Sequence, residues 1–212
     1  MRKAEINKAL IEMIRPILEP LGFKKKNGSD GWVYFKETDF GFNQVPVLIW
    51  QYDEFFFVGL SFMVRISKLN EVFLPYSSFV AKENDNSITI GANIETFGFK
   101  GDHKIKVVTE EELQKAIYLL KDILVNQGLF FFEKFTTVDS IDKELNRDNR
   151  IQHLFIHDTD RCIVGITAAA LNHNPQFSYW ESYYREKLSK ASEYRKEKYE
   201  SLVKYLHESV IK

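Results

Sequence analysis

Two histidines four residues apart are the first residues in this sequence that suggest chemistry. His153 and His157 are followed by Asp158 and Asp160, and on a helix the two imidazoles would face one metal ion. The residues between them, 154–156, are apolar and typical of a buried run or strand, and the chain has no HExxH pattern. We therefore expect capping or solvent-facing histidines, and no metal site and no cofactor are predicted.

A reactive thiol or a dispersed catalytic site is the second chemical possibility. Cys162 is followed by Ile163, Val164 and Gly165, which favours burial in a helix contact over an activated nucleophile. The sequence contains no GxSxG, GxGxxG or Walker pattern. An enzyme would have to assemble its site in the fold. The alternative function is therefore a hydrolase that uses some of Asp53, Glu54, His103, His153 and His157.

The compact basic run is Lys24, Lys25 and Lys26, and it precedes Trp32 and Phe35. Basic charge beside exposed rings is typical of sites for single-stranded nucleic acid. The other interpretation is a solvated turn followed by rings that alternate in a sheet core. The 29 basic and 30 acidic side chains nearly cancel, which favours the second interpretation. Nucleic acid is therefore not expected as a partner.

Tyrosines are concentrated near the C-terminal end of the sequence. Tyrosine offers a large contact area at low entropy cost, so such a group is typical of interfaces. A partner-binding surface is predicted from Tyr179, Tyr183, Tyr194 and Tyr199. It would bind another protein or a second copy of this chain. Packing of some of these rings on the protein's own sheet is the alternative that the sequence leaves open.

The first half of the sequence has the patterns of a helix and a series of strands. Apolar spacing predicts a helix over residues 2–20, with a kink or a break into two helices at Pro16. Pro46 favours an edge position or a bulge, and Asp53 marks a tight hairpin. The apolar side chains between Trp32 and Phe97 are predicted to fill the interior of the sheet. Strand patterns occur at residues 32–36, 42–52, 54–66, 87–97 and 104–108.

The second half of the sequence is mainly helical in pattern. Thr109 and Glu112 form a capping box that begins a helix ending at residues 126–128. Asn174 and Pro175 suit the start of a long charged helix that reaches about Ser209. Further helices are predicted over residues 68–73, 138–145 and 162–171.

Together these elements predict an α+β fold. We expect an antiparallel sheet of four to five strands packed against helices, with a C-terminal helical hairpin or long helix. The polar stretch at 146–152 would separate an α+β domain, residues 1–150, from a helical extension, residues 151–212, packed on it. No secretion signal and no apolar run of roughly 20 residues are present. A cytoplasmic protein without membrane association is therefore expected.

The first 145 residues resemble a bacterial domain family of unknown function. The resemblance is carried by the turn Leu21-Gly22-Phe23-Lys24, the strand at 32–35, the later strand at 49–51, the helix from Thr109 and the segment 131–135. It spans about residues 3–145. The resemblance implies an α+β domain without an established activity, and some similar small bacterial domains accompany toxin systems as immunity or binding proteins. The leading hypothesis is a non-enzymatic protein-binding module.

Overall fold

The computed structural model describes residues 1–28, 31–77, 87–100, 104–147, 154 and 158–211. It divides the chain into two compact units. The sheet unit contains Met1–Val64 and Gly91–Lys134, and the helical unit contains Arg65–Ile90 and Phe135–Lys212. The units therefore interleave along the sequence, whereas the sequence pattern predicts a 1–150 domain followed by a 151–212 extension. The packing of such an extension on the domain stays a prediction.

The α+β fold class is confirmed, with six antiparallel strands among the described residues. The neighbours run in the order β1, β2, β3, β4 and β5, and β6 pairs with β4. The strands are β1 Lys24–Gly28, β2 Gly31–Thr38, β3 Gly41–Gln51, β4 Phe56–Ile66, β5 Ile90–Asn93 and β6 Ile105–Val107.

Two of these strands correct the interpretation of the sequence. β1 forms where the lysine run was expected to be a turn, and it pairs with β2 from Lys24 opposite Phe35 to Gly28 opposite Gly31. Pro46 lies opposite Val33 in β3, which has β2 on one side and β4 on the other. The expected edge position is therefore wrong. One missing backbone donor is tolerated because the other residues of this eleven-residue strand keep the pairing.

The described helices are distributed over both units. They are α1 Lys3–Leu18, α2 Ser67–Phe73, α3 Glu110–Ile123, α4 Leu129–Lys134, α5 Val138–Leu145, α6 Asp158–Leu171, α7 Phe177–Lys187 and α8 Glu193–Ser209. α1 continues through Pro16, so the expected break into two helices does not occur. Beyond α1 a 3-10 turn leads to Gly22, whose φ of +87° requires the left-handed conformation that glycine adopts at low cost.

The capping box that begins α3 is confirmed. The Glu112 amide donates to Thr109 Oγ1 at 3.2 Å, and Glu112 Oε2 accepts from the Thr109 amide at 3.0 Å. The expected end at residues 126–128 is wrong, because a π-helical segment, Leu124–Gly128, continues into α4. Gly128 permits a close contact, since a Cβ at this position would overlap the Phe62 ring.

In the helical unit, α6 is the central element. Its residues from Asp160 to Ala170 are buried, and α2, α5, α7 and α8 pack against it. Gly165 leaves room for the Tyr184 side chain, because a Cβ there would overlap its hydroxyl. The C-terminal region is a hairpin of α7 and α8, joined by a 3-10 turn at Leu188–Lys190. A single helix from Pro175 to Ser209 is thus replaced by two.

Candidate functional site: an aromatic sheet face bordered by lysines

The two faces of the sheet differ in burial. Alternate side chains of β2 and β3 point to opposite faces, as strand geometry requires. Trp32, Tyr34, Val45, Val47 and Ile49 point inward and are buried. On this side Trp32 donates from its indole nitrogen to Asn7 Oδ1 of α1 at 2.9 Å.

The opposite face also carries apolar side chains, but these are half-buried. We call this set the outer sheet face: Val33, Phe35, Pro46, Leu48, Trp50 and Phe57. The expectation that all apolar residues between Trp32 and Phe97 fill the interior is therefore correct only for the inward set. An antiparallel sheet with one face in contact with water usually carries polar side chains on that face. This one carries rings.

A cluster of rings lies at the hairpin between β3 and β4. The Tyr52 amide donates to the Phe55 carbonyl at 2.9 Å, which confirms the predicted tight turn. The Tyr52 and Phe55 rings stack with centroids 4.8 Å apart, and Phe57 meets both edge-on at 5.6 and 5.3 Å. Tyr52 is 47% exposed. Asp53 and Glu54 are exposed residues of the turn itself.

Lysines border the outer sheet face on both lateral edges of the sheet. We call Lys24, Lys26, Lys104 and Lys106 the edge lysines. On the β1 edge, Lys26 Nζ lies 3.6 Å from the Phe35 ring centroid, and Lys24 is opposite Phe35 in register.

On the β6 edge, Lys106 is opposite Phe57, and its Nζ lies 4.3 Å from the Phe55 centroid. Lys104 Nζ lies 4.6 Å from the Phe57 centroid and 5.7 Å from that of Trp50. Each distance is within the range in which a cation is attracted to a ring face.

An acidic group is also close to the β6 edge. The pKa of Glu112 is lowered, chiefly by hydrogen bonds from the Val108 and Thr109 amides and to a lesser degree by the charge of Lys106. The outer sheet face therefore combines an apolar centre with ammonium groups at its sides, and carboxylates occur at the helix cap and at the hairpin turn. This arrangement can bind a partner through apolar contact and charge.

The four tyrosines of the predicted partner-binding surface differ in exposure. Tyr179 is 55% exposed and its ring stacks on that of Tyr183, with Lys187 Nζ 5.3 Å from the Tyr183 centroid. Tyr194 is 57% exposed at the start of α8. Tyr199 is 1% exposed, and its hydroxyl donates to the Glu181 carbonyl at 3.0 Å. Tyr199 is thus an interior residue, and the tyrosines shown in contact are Tyr179 and Tyr183.

The residues singled out for chemistry have no common site in the described residues. Cys162 is buried in α6, as expected. His103, His153 and His157 lie outside the described residues. Within the described ranges, no group of three or more histidine, cysteine, aspartate or glutamate side chains could hold a metal ion.

Buried acids in the helical unit have structural partners. Asp142 accepts hydrogen bonds from the side-chain amides of Asn146 at 2.6 Å, Asn172 at 2.7 Å and Asn174 at 3.0 Å. These bonds connect α5 with the turn between α6 and α7. Because the carboxylate oxygens are all engaged by donors from this unit, we assign Asp142 a structural role.

A cleft in the helical unit has room for about one water molecule, with a cavity volume of about 10 Å³. Its walls include Tyr76, Ile163, Tyr194 and Lys198. Sites for small molecules usually measure about 300 to 1,000 Å³, so this cleft is far too small to be one. In the part of the chain that the structure describes, no helix has both the length and the apolar character needed to cross a membrane.

Comparisons of the chain with models of known protein families, with curated proteins and with solved structures give no match. The resemblance to a bacterial domain family of unknown function therefore stays a prediction. The edge lysines at 104 and 106 were missed by the sequence analysis. Their alternation with Ile105 and Val107 in the pattern 104–108 was the signal that would have placed them on one face.

Proposed function

We propose that this chain is a non-enzymatic protein-binding module whose docking surface is the outer sheet face. The observation that carries the proposal is that Phe35, Trp50 and Phe57 are only half-buried on a sheet whose other face is buried. Contiguous apolar surface bordered by polar residues is typical of interaction sites. Aromatic rings are also the side chains that contribute most to binding energy at interfaces.

The ring geometry favours a protein partner over single-stranded nucleic acid. Base stacking needs open ring faces. Here Lys26 lies over Phe35, Lys104 over Phe57, and Tyr52 and Phe55 cover each other. Protein side chains can pack against ring edges and lysine stems without displacing these contacts. The exposed Tyr179 with the half-buried Tyr183 is a second, smaller contact surface in this proposal.

Site-specific photo-cross-linking in the source cells tests the proposal. A benzophenone amino acid would replace Leu48 or Phe57 on the outer sheet face. The matched control replaces Tyr118, which is strongly exposed on α3. We expect the same cross-linked protein from positions 48 and 57 and no such product from position 118. If that protein is a second copy of this chain, light scattering of the purified protein would give the mass of a dimer.

Binding by the purified partner would then be measured by titration. We expect the Leu48→Glu variant to bind at least about tenfold more weakly, because a carboxylate would enter an apolar contact. A product that forms equally from position 118, or no product from positions 48 and 57, would contradict the proposal.

A further inference from the structure

We infer that the segment bound by the outer sheet face is an amphipathic helix whose apolar stripe is flanked by carboxylates on both sides. This inference rests on the proposed function, and it specifies the chemistry of the partner. Its basis is the position of the edge lysines relative to the apolar centre. The cations lie on the two lateral edges of the sheet, at β1 and β6, and the rings lie between them.

The width of the face fits one helix. β1 and β6 are separated by four strand spacings, or about 19 Å. A helix with its side chains has a diameter of about 10 to 12 Å. A helix lying along the strands would place its apolar stripe on Pro46, Leu48 and Trp50. Glutamate side chains on its flanks would then extend toward Lys26 on one edge and Lys106 on the other.

The charged side chains around the outer sheet face also favour a helix that lies along the strands. At strand positions of this face Lys24, Lys26 and Lys106 outnumber the acid, Glu37, which shares the outward side of β2 with Val33 and Phe35. The carboxylates of Asp39, Asp53 and Glu54 belong to hairpin turns at the strand ends. Positive charge is therefore lateral and the carboxylates of the hairpin turns are terminal, with Glu112 beside Lys106 as a lateral exception. A helix with lateral carboxylates matches this pattern, whereas one with lateral lysines opposes it.

The rings also hold the ammonium groups in place before binding. Lys26, Lys104 and Lys106 each lie 3.6 to 5.7 Å from a ring centroid. An ammonium group that is already positioned loses less side-chain entropy when it meets a carboxylate. The contacts between lysines and rings thus prepare the edges for an acidic partner.

Three designed peptides of about 18 residues, which form five helical turns, would test the inference. They share one leucine and methionine stripe, and the flanking positions carry glutamate, glutamine or lysine. Binding is followed by the NMR signal of the Trp50 indole, with the buried Trp32 and Trp180 as internal controls. We expect the glutamate peptide to shift the Trp50 signal, gain helical circular dichroism and bind at least about tenfold more tightly than the glutamine peptide.

Lysine variants give the matched comparison. The pairs Lys24→Gln with Lys26→Gln and Lys104→Gln with Lys106→Gln should each weaken binding of the glutamate peptide about fivefold. The control pair, Lys115→Gln with Lys121→Gln, changes exposed lysines of α3 and should leave the affinity unchanged. Added salt should weaken the wild type more than either edge variant.

The possible failures are distinguishable. Equal affinity of the glutamine and glutamate peptides would overturn the inference about carboxylates and leave the proposed function standing. Absence of any Trp50 shift would overturn the helical partner, while cross-linking from positions 48 and 57 tests the docking surface independently. A Trp50 shift with an oligothymidine strand, but with none of the peptides, would overturn both.

Discussion

In the helical unit the Tyr184 and Tyr199 hydroxyls are buried and donate hydrogen bonds, to Asn146 Oδ1 at 2.6 Å and to the Glu181 carbonyl at 3.0 Å. In the sheet unit Trp50 and Phe57 lie half-buried next to the ammonium group of Lys104. The enclosed tyrosines of the helical unit thus connect its helices, although Tyr179 and Tyr194 of that unit are exposed. The sheet unit instead groups half-buried rings with cations on one face.

Side chains that stabilise the fold and side chains available for binding therefore belong to different environments in this protein. Polar atoms enclosed within a unit need their partners, because an unsatisfied buried group costs free energy. Truncation of a half-buried ring should lower the free energy of unfolding less, because folding removes less of that ring's apolar surface from water. Substitutions in the two regions should therefore split into effects on folding and effects on binding.

The largest expected effect is the loss of the Asp142 carboxylate. Asp142→Ala leaves the amides of Asn146, Asn172 and Asn174 without this acceptor, and we expect the free energy of unfolding to fall by about 3 kcal/mol. Glu111→Ala on α3 is the control. It removes an exposed ion pair with Lys115 and should leave the free energy of unfolding nearly unchanged. Urea unfolding followed by circular dichroism measures both, and equal losses would remove the distinction between enclosed and exposed acids.

Neighbouring residues of β3 face opposite sides of the sheet and should differ in their effect on stability. Ile49 points inward and is buried, whereas Leu48 lies on the outer sheet face. Ile49→Thr should lower the free energy of unfolding by about 2 kcal/mol, because it places a hydroxyl in the core. Leu48→Thr should lower it by less than about 1 kcal/mol. Thermal unfolding of the two variants checks this, and a larger loss from Leu48→Thr would show that the outer face is covered.

The smallest expected effect concerns pH and the exposed side of the helical hairpin. Burial acts to raise the pKa of Glu181, but hydrogen bonds from His207 and Arg185, both at 2.9 Å, outweigh it and lower the pKa below its ordinary 4.5. The unfolded chain therefore takes up this proton at higher pH than the folded one. The stabilisation from Glu181 is complete above about pH 4.5 and is lost as the pH falls below it.

Unfolding free energies at about pH 5.5 and about pH 3.5 would measure this contribution. Wild type should lose more than Glu181→Gln over this interval, by less than about 1 kcal/mol because the cluster is partly exposed. Glu208→Gln removes an exposed acid of α8 and should keep the wild-type pH dependence. Identical pH dependence of wild type and Glu181→Gln would contradict the assignment.

Much of the fold follows from local patterns in the sequence. The alternation in β3, the capping box at Thr109 and the short helices α2 and α5 were all predictable, because residues close in sequence determine them. β1 was missed because three consecutive lysines and Asn27 have low strand propensity. Their strand conformation depends on pairing with β2, a neighbour that only the folded sheet supplies.

The candidate site was less predictable than the fold. Period-two alternation divides rings between two faces, but it does not tell which face the helices cover. Trp50 and Phe57 were accordingly assigned to the core together with Trp32 and Tyr34. The tyrosine pattern also treated one long helix as a single surface. The turn at Leu188–Lys190 separates its halves, and Tyr199 became an interior residue.

The π-helical segment at Leu124–Gly128 also affects how the following helix, α4, is oriented. Phe131 and Phe132 of α4 meet Phe97 and Phe62, with ring centroids 6.3 and 6.0 Å apart. Each residue of an α-helix adds about 100° of rotation around the helix axis. The number of residues in the π-helical turn therefore sets the direction in which the side chains of α4 point. A chain one residue shorter here would carry the same two phenylalanines but present them about a quarter-turn away from the sheet.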